Sequence, residues 1–111
     1  VPEPSIPVRV ARHLDAFDSA VVDGDWTSFG ERFTPDATMT FVGVPVGPWI
    51  GRPSIIAAYQ AQPPTDTMTA TGVDTDGDLD VVAFRWSRGG TGTMRLRWAD
   101  GLVAELAVVF D

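Results

Sequence analysis

The chain contains no cysteine. A disulfide framework and a thiolate metal site are therefore both excluded, and the composition suits a reducing cytoplasm, the expected location. Lysine is missing as well. All eight basic residues are arginine, set against fifteen acids, and the formal net charge is −7. Such a surface repels phosphate backbones and anionic lipid, so neither nucleic acid nor membrane is expected as a partner. No apolar run approaches the ~20 residues that cross a bilayer. The opening Val1-Pro2-Glu3-Pro4 has no basic segment leading into an apolar one, so no secretory signal is expected; a chain opening on Val1 rather than Met is expected to have been trimmed. There is one histidine, His13, and one tyrosine, Tyr59. No Ser-His-Asp order, glycine-rich phosphate loop or His/Asp metal cluster is visible, and no cofactor or metal is expected.

What is present suits a single domain of 111 residues, with residues 1–7 as a flexible tail. Arginine in place of lysine, among many Ala, Val and Gly, matches a GC-rich bacterial genome. From Val8, the residues Val10, Leu14, Phe17 and Val21 fall on one helical stripe, with Ser5 as the expected cap and Pro7 in the first turn. Asp23-Gly24 ends that helix. Asp25 caps a short second one with Trp26, Phe29 and Phe33 inward, and Pro35 stops it. Ala37 to Val42 reads as a strand and Gly43 to Pro48 as a loop. A third helix starts near Gly51, carries Ile55, Ile56 and Tyr59, and ends at Pro63-Pro64. Two hairpins complete the chain: Thr67–Val73 with Leu79–Trp86 about Asp76-Gly77, and Thr91–Trp98 with Leu102–Phe110 about Asp100-Gly101.

The last two strands declare their faces. Met94, Leu96 and Trp98 alternate with Arg95 and Arg97; Ala104, Leu106, Val108 and Phe110 alternate with Val103, Glu105, Ala107 and Val109. One face is large and apolar. The other is mixed, able to pair Glu105 with Arg95 or Arg97, and half-apolar enough to be buried in a homodimer through the outer sheet face.

Three pieces, in this order and spacing, carry a resemblance: the Gly24-Asp25-Trp26 break, Phe33-x-x-Asp36-Ala37-Thr38 leading into the first strand, and Gly51-x-x-x-Ile55-x-x-x-Tyr59 opening the third helix. From Val8 to Phe110 the chain resembles the nuclear-transport-factor-2-like superfamily, also called SnoaL-like or ketosteroid-isomerase-like. The resemblance implies an α+β fold: a cone-shaped, curved antiparallel sheet packed against three N-terminal helices, a cystatin-like α+β roll. It also implies a pocket between sheet and helices, and frequent dimers. Isomerases, cyclases, dehydratases, epoxide hydrolases and pure binding domains share that frame.

Carried over residue by residue, the ketosteroid isomerase chemistry is absent. The oxyanion tyrosine falls on Phe17, the general base on Phe41 (on Val44 if the loop shifts) and the oxyanion aspartate on Met94. None of these has an ionisable proton, and loss of base and oxyanion donors removes most of the rate enhancement. Only the supporting tyrosine survives, as Tyr59. The resemblance therefore implies a pocket walled by Phe17, Phe41, Met94, Leu106 and Phe110, with Trp98 nearby and Trp49 at the rim. Its ligand is expected to be a small apolar, ring-bearing molecule with a keto or hydroxyl group. Tyr59 and His13 are the candidate catalytic groups, for isomerase- or cyclase-like chemistry if there is any. The competing expectation is a cone filled by these same side chains, in a non-enzymatic dimeric scaffold.

Other groups have two readings each. His13 is either an acid/base with Asp15 or Asp18 or a half-exposed histidine on a helix flank. Asp74-x-Asp76-Gly77-Asp78-x-Asp80 is either a calcium loop, with its glycine and twelfth residue wrong for one, or a hairpin with solvated ends. Arg52 binds an anion or is solvated. Arg85, Arg95 and Arg97 with Glu105 form an Arg/acid cluster in the pocket or a network on the dimer face; alternation favours the face. Acid/base groups from loops, such as Asp66 or Asp74, are a further option.

Overall fold

The computed structural model describes residues 6–111. The expected Ser5 cap, and residues 1–5 of the expected tail, lie outside them. Ile6 packs against the core. Pro7 occupies the N-cap position rather than the first turn of α1 (Val8–Asp23), and its carbonyl accepts from Ala11. The stripe of α1 is buried through Val10, His13, Leu14, Phe17 and Ala20, and Gly24, in the left-handed region at φ 76°, closes the helix. In α2 (Trp26–Gly30) the Asp25 side chain accepts the Ser28 N–H, as expected of the cap.

Helix α2 stops before Phe33. That residue instead begins β1 (Phe33–Val42), so Pro35 lies within a strand and does not terminate a helix. It sits in the irregular stretch between Phe33 and Thr38, where the ladder to β6 shifts and a missing N–H is tolerated. Trp49 and Ile50, between the expected loop and the third helix, form a short β2 on the edge of β1. Helix α3 (Arg52–Ala61) buries Ile55 and Tyr59. A Cβ on Gly30 would run into the Ile56 side chain, so glycine there sets how closely α2 approaches α3.

The four remaining strands, β3 (Met68–Asp76), β4 (Leu79–Trp86), β5 (Thr91–Ala99) and β6 (Leu102–Phe110), form the two expected hairpins. The sheet order is β2-β1-β6-β5-β4-β3. Every pairing is antiparallel except β1 with β6, which makes the six-stranded sheet mixed. The fold is α+β as expected, with the helices against one face of a curved sheet.

Alternation in β5 holds: Met94, Leu96 and Trp98 are buried, Arg95 is exposed and Arg97 half-exposed. In β6 it breaks once. Arg97 pairs with Glu105 but Trp98 with Val103, which leaves Ala104 as a bulge. Val103 is therefore inward and fully buried, where simple alternation places Ala104.

The calcium reading of the aspartate run gives way to the hairpin. Asp78 pairs with Arg97 on the surface at 2.9 Å, while Asp80 turns inward with no exposed area. The Asp80 carboxylate accepts from Arg9 Nε at 2.6 Å, Trp98 Nε1 at 2.9 Å and Thr75 Oγ1 at 2.6 Å. Burial pushes its carboxyl pKa up, but the three donors and the Arg9 charge outweigh that and hold it below the usual range. This cluster joins the first turn of α1 to β3, β4 and β5. Breaking a buried pair strands a charge, whereas an exposed pair contributes little. Arg9→Met, which leaves the Asp80 carboxylate buried without its cation, is thus expected to lower the unfolding free energy by about 3 kcal/mol. Arg97→Met, which removes exposed pairs to Asp78 and Glu105, is expected to cost less than ~1 kcal/mol; urea denaturation of both variants checks the contrast.

Candidate functional site

A cavity of about 740 Å³ opens between the helices and the inner sheet face. Helix α1 supplies His13, Leu14 and Phe17 as one wall, because residues three and four apart share a helix face. Strands β1, β5 and β6 supply Met39, Phe41, Met94, Leu106, Val108 and Phe110, the inward members of alternating runs. Tyr59 enters from α3. All three methionines of the chain (Met39, Met68 and Met94) line this space.

Of the residues expected at the apolar wall, Phe17, Phe41, Trp49, Met94, Leu106 and Phe110 line the cavity. Trp98 does not. Its indole N–H is committed to Asp80 and its ring lies beneath the Arg9 guanidinium, 5.4 Å from the ring centre. The three positions matched to ketosteroid isomerase chemistry, Phe17, Phe41 and Met94, all face the cavity, while the alternative Val44 is exposed and outside it. Trp49 and Phe110 flank Phe41 at ring distances of 5.1 and 5.7 Å, and Phe110 is 44 % exposed, which makes this trio the rim. Trp49 lies so close to Gly47 that a Cβ there would meet its ring at 2.9 Å; glycine also suits the φ of +81°.

His13 is not the half-exposed flank residue of the sequence reading; it is 3 % exposed. Nor does it pair with Asp15 or Asp18. At 100° per residue, Asp15 lies on the opposite side of the helix and is exposed. Asp18 instead accepts the backbone N–H of Met68 at 3.1 Å, fastening the start of β3. The imidazole sits among Phe29, Phe33 and Trp98 at 5.2, 5.8 and 6.2 Å. Desolvation, helped by the nearby Arg32 charge, pulls its pKa down to about 3. It is therefore neutral at physiological pH. Tyr59 stacks on Trp26 at 4.7 Å, and burial raises its phenol pKa, so the O–H stays protonated. None of the side-chain hydrogen bonds among the described residues occupies its hydroxyl.

Arg52 is half-buried and serves the fold. Its Nε and Nη2 both donate to the Phe33 carbonyl, holding α3 to β1. Arg95 and Arg97 stay on the outer face, with Arg97 joined to Glu105 at 3.3 Å. Asp66 does reach the cavity, at its polar mouth with Gln62, Thr65 and Arg88, and its carboxylate accepts the Arg88 backbone N–H; Asp74 lies on the exposed hairpin. Among residues that sequence reasoning missed, Met39, Phe84 and Trp86 were recoverable from strand alternation. Pro64 and Thr65 had no signal, because a linker's path across a cavity mouth has no periodicity.

A curved mixed sheet closing on three helices around an apolar chamber defines the cone-shaped α+β class. The sequence profile of the SnoaL-like domain matches residues 10–109, and the chain belongs to that family. Solved structures agree in fold. A protein from Bacillus subtilis provisionally named an isomerase superimposes with a TM-score of 0.76 at 16% identity, over 93% of this chain and 86% of its own. An NTF-2 like protein of unknown function from Burkholderia xenovorans gives 0.71 at 17%, over 93% and 83%. A protein from Kribbella flavida provisionally named a ketosteroid isomerase gives 0.66 at 19%, over 90% and 78%. At such identities the likeness is one of fold. No curated protein matches the chain. Among the described residues no helix is long and apolar enough to cross a membrane.

The neutral histidine has a thermodynamic signature. The unfolded chain takes up this proton near pH 6.5 and the folded chain near 3, so between those values the unfolded state binds more protons and stability falls with falling pH. From pH 7.5 to 5 the loss from this group is roughly 2 kcal/mol. His13→Phe is expected to remove that component, read as a flatter pH dependence of the urea midpoint.

Proposed function

We propose that the protein binds a small, uncharged, ring-bearing apolar molecule with a keto or hydroxyl group, held in the cone with Tyr59 and His13 as its polar contacts. The observation that carries this reading is the chamber itself. At about 740 Å³ it lies within the usual ~300–1,000 Å³ of ligand sites, and its deep walls are apolar except for those two side chains. It argues against the alternative of a filled cone. The ketosteroid isomerase name of the Kribbella flavida neighbour fits a chemistry of ring compounds. Any turnover by this chain is of the isomerase or cyclase kind and proceeds without the usual ketosteroid isomerase acid and base, because Phe17, Phe41 and Met94 occupy those places.

The outer sheet face supports a homodimer as a second element of this reading. Val42 and Val109 are paired across β1 and β6 and are 50 % and 38 % exposed, an apolar stripe beside Arg95. Val109→Glu is expected to shift the species seen by sedimentation velocity to a monomer; a wild type that already sediments as a monomer removes the dimer from the proposal.

A thermal-shift screen against steroids and polyketide-like aromatics tests the binding. A ligand present at 100 times its Kd stabilises by about 2.7 kcal/mol, which raises Tm by roughly 10 °C. Absence of a shift with every apolar compound would sink the binding reading.

A further inference from the structure

Four side chains among the described residues bury a polar atom with no hydrogen-bond partner, His13, Trp26, Arg32 and Thr34, and of these His13 is the one that lines the chamber. Its Nδ1 is enclosed and has no hydrogen-bond partner among the described residues. A buried histidine normally has one nitrogen fixed by a carbonyl or carboxylate, which sets the tautomer. Here Phe29, Phe33 and Trp98 surround the ring, and each offers only carbon edges or faces, since the Trp98 N–H is spent on Asp80. The charged group nearest in effect is Arg32, a cation that can only donate.

These surroundings choose the tautomer. A proton on Nδ1 would bury a donor with nothing to donate to, the costlier kind of unsatisfied group. With the proton on Nε2, Nδ1 keeps a lone pair on the side enclosed by the protein. Nε2 is not among the enclosed, unpartnered atoms, and His13 is a cavity-lining residue, so Nε2 is the nitrogen that meets the chamber. The single carboxylate among the lining residues, Asp66, is at the mouth.

We propose that His13, held as the neutral Nε2–H tautomer, is the specificity-determining donor of the cavity and selects uncharged ring compounds that present a carbonyl oxygen to it. This rests on the ligand-binding reading above and narrows it from keto or hydroxyl to keto at this position. A carbonyl accepts the Nε2 proton and needs nothing in return. An alcohol at the same place must also turn its own O–H to an acceptor, for which the deep walls offer the Tyr59 hydroxyl alone, and an ammonium or carboxylate needs a counter-charge that the deep chamber lacks. The depressed pKa of His13 keeps the donor in one protonation state across the working range.

The test uses a matched series on one tricyclic frame: fluorene, 9-fluorenone, 9-hydroxyfluorene and fluorene-9-carboxylic acid, with binding followed by tryptophan fluorescence. Wild type is expected to bind 9-fluorenone about 10-fold more tightly than fluorene, and to discriminate against the alcohol and the acid. His13→Phe is expected to bring the ratio of the fluorene and 9-fluorenone dissociation constants from about 10 to about 1, whatever its absolute affinity for fluorene. Because the chain has a single histidine, ¹⁵N spectra of the wild-type imidazole read the tautomer without any variant: an Nε2–H form at pH 7, its proton resonance moving downfield with 9-fluorenone. Binding of fluorene and 9-fluorenone with equal affinity, or an Nδ1–H tautomer, overturns the proposal while leaving the ligand chamber intact. Failure of all four compounds to bind removes the chamber reading and the proposal together.

Discussion

The seating of α1 on the sheet rests on one buried carboxylate. Asp80 has no solvent to hydrate it, so its charge is tolerable only while Arg9, Thr75 and Trp98 all donate to it. Arg9 belongs to the first turn of α1, and the other donors belong to the sheet. The helix therefore cannot drift from the strands without stranding a charge. His13, Leu14 and Phe17, which form a wall of the chamber, are carried on the same helix and inherit its position. A second fastening lies further along: Asp18 accepts from the start of β3, so α1 is tied down on both sides of its cavity-facing residues.

The chamber so framed differs from its surroundings in the kind of polarity it permits. The exterior is acidic and carries its arginines outward, with Arg97 bridging Asp78 and Glu105. The chamber holds groups that are polar but uncharged, an imidazole whose pKa burial pulls down and a phenol whose pKa burial pushes up, so that each keeps its neutral form. Charge is confined to the mouth, at Asp66 and Arg88. Around the neutral groups the walls are aromatic rings and methionines, the latter able to adjust to the outline of whatever fills the space.

Much of this was legible in the sequence, and the exceptions have physical causes. The periodicity of Val10, Leu14 and Phe17 and the alternation of Met94, Leu96 and Trp98 against Arg95 and Arg97 fix which side chains point inward, because packing enforces those periods. The hairpin turns were visible in Asp76-Gly77 and Asp100-Gly101. Phe33 was misplaced because an aromatic at helical spacing from Phe29 also suits the start of a strand, and nothing local decides between them. Val103 was misplaced because a bulge resets alternation without a marker of its own. Trp98 faces inward as its position requires, but it serves the Asp80 cluster, and no pattern of one strand reveals a partner on another. His13 shares a stripe with Phe17; its burial depends on Phe29, Phe33 and Trp98 arriving from three other elements.

The one parallel pairing, β1 against β6, has a further consequence for how the molecule is made. These neighbours lie near the middle of the sheet, yet some sixty residues separate Val42 from Leu102. A ribosome that has released everything up to Ala99 has delivered β1 without its central neighbour, and the cone stays open along that seam until the closing strand emerges. Such a long-range contact makes for slow, late closure. The inner aromatic surface is then bare during synthesis, when it is most vulnerable to sticking to other chains.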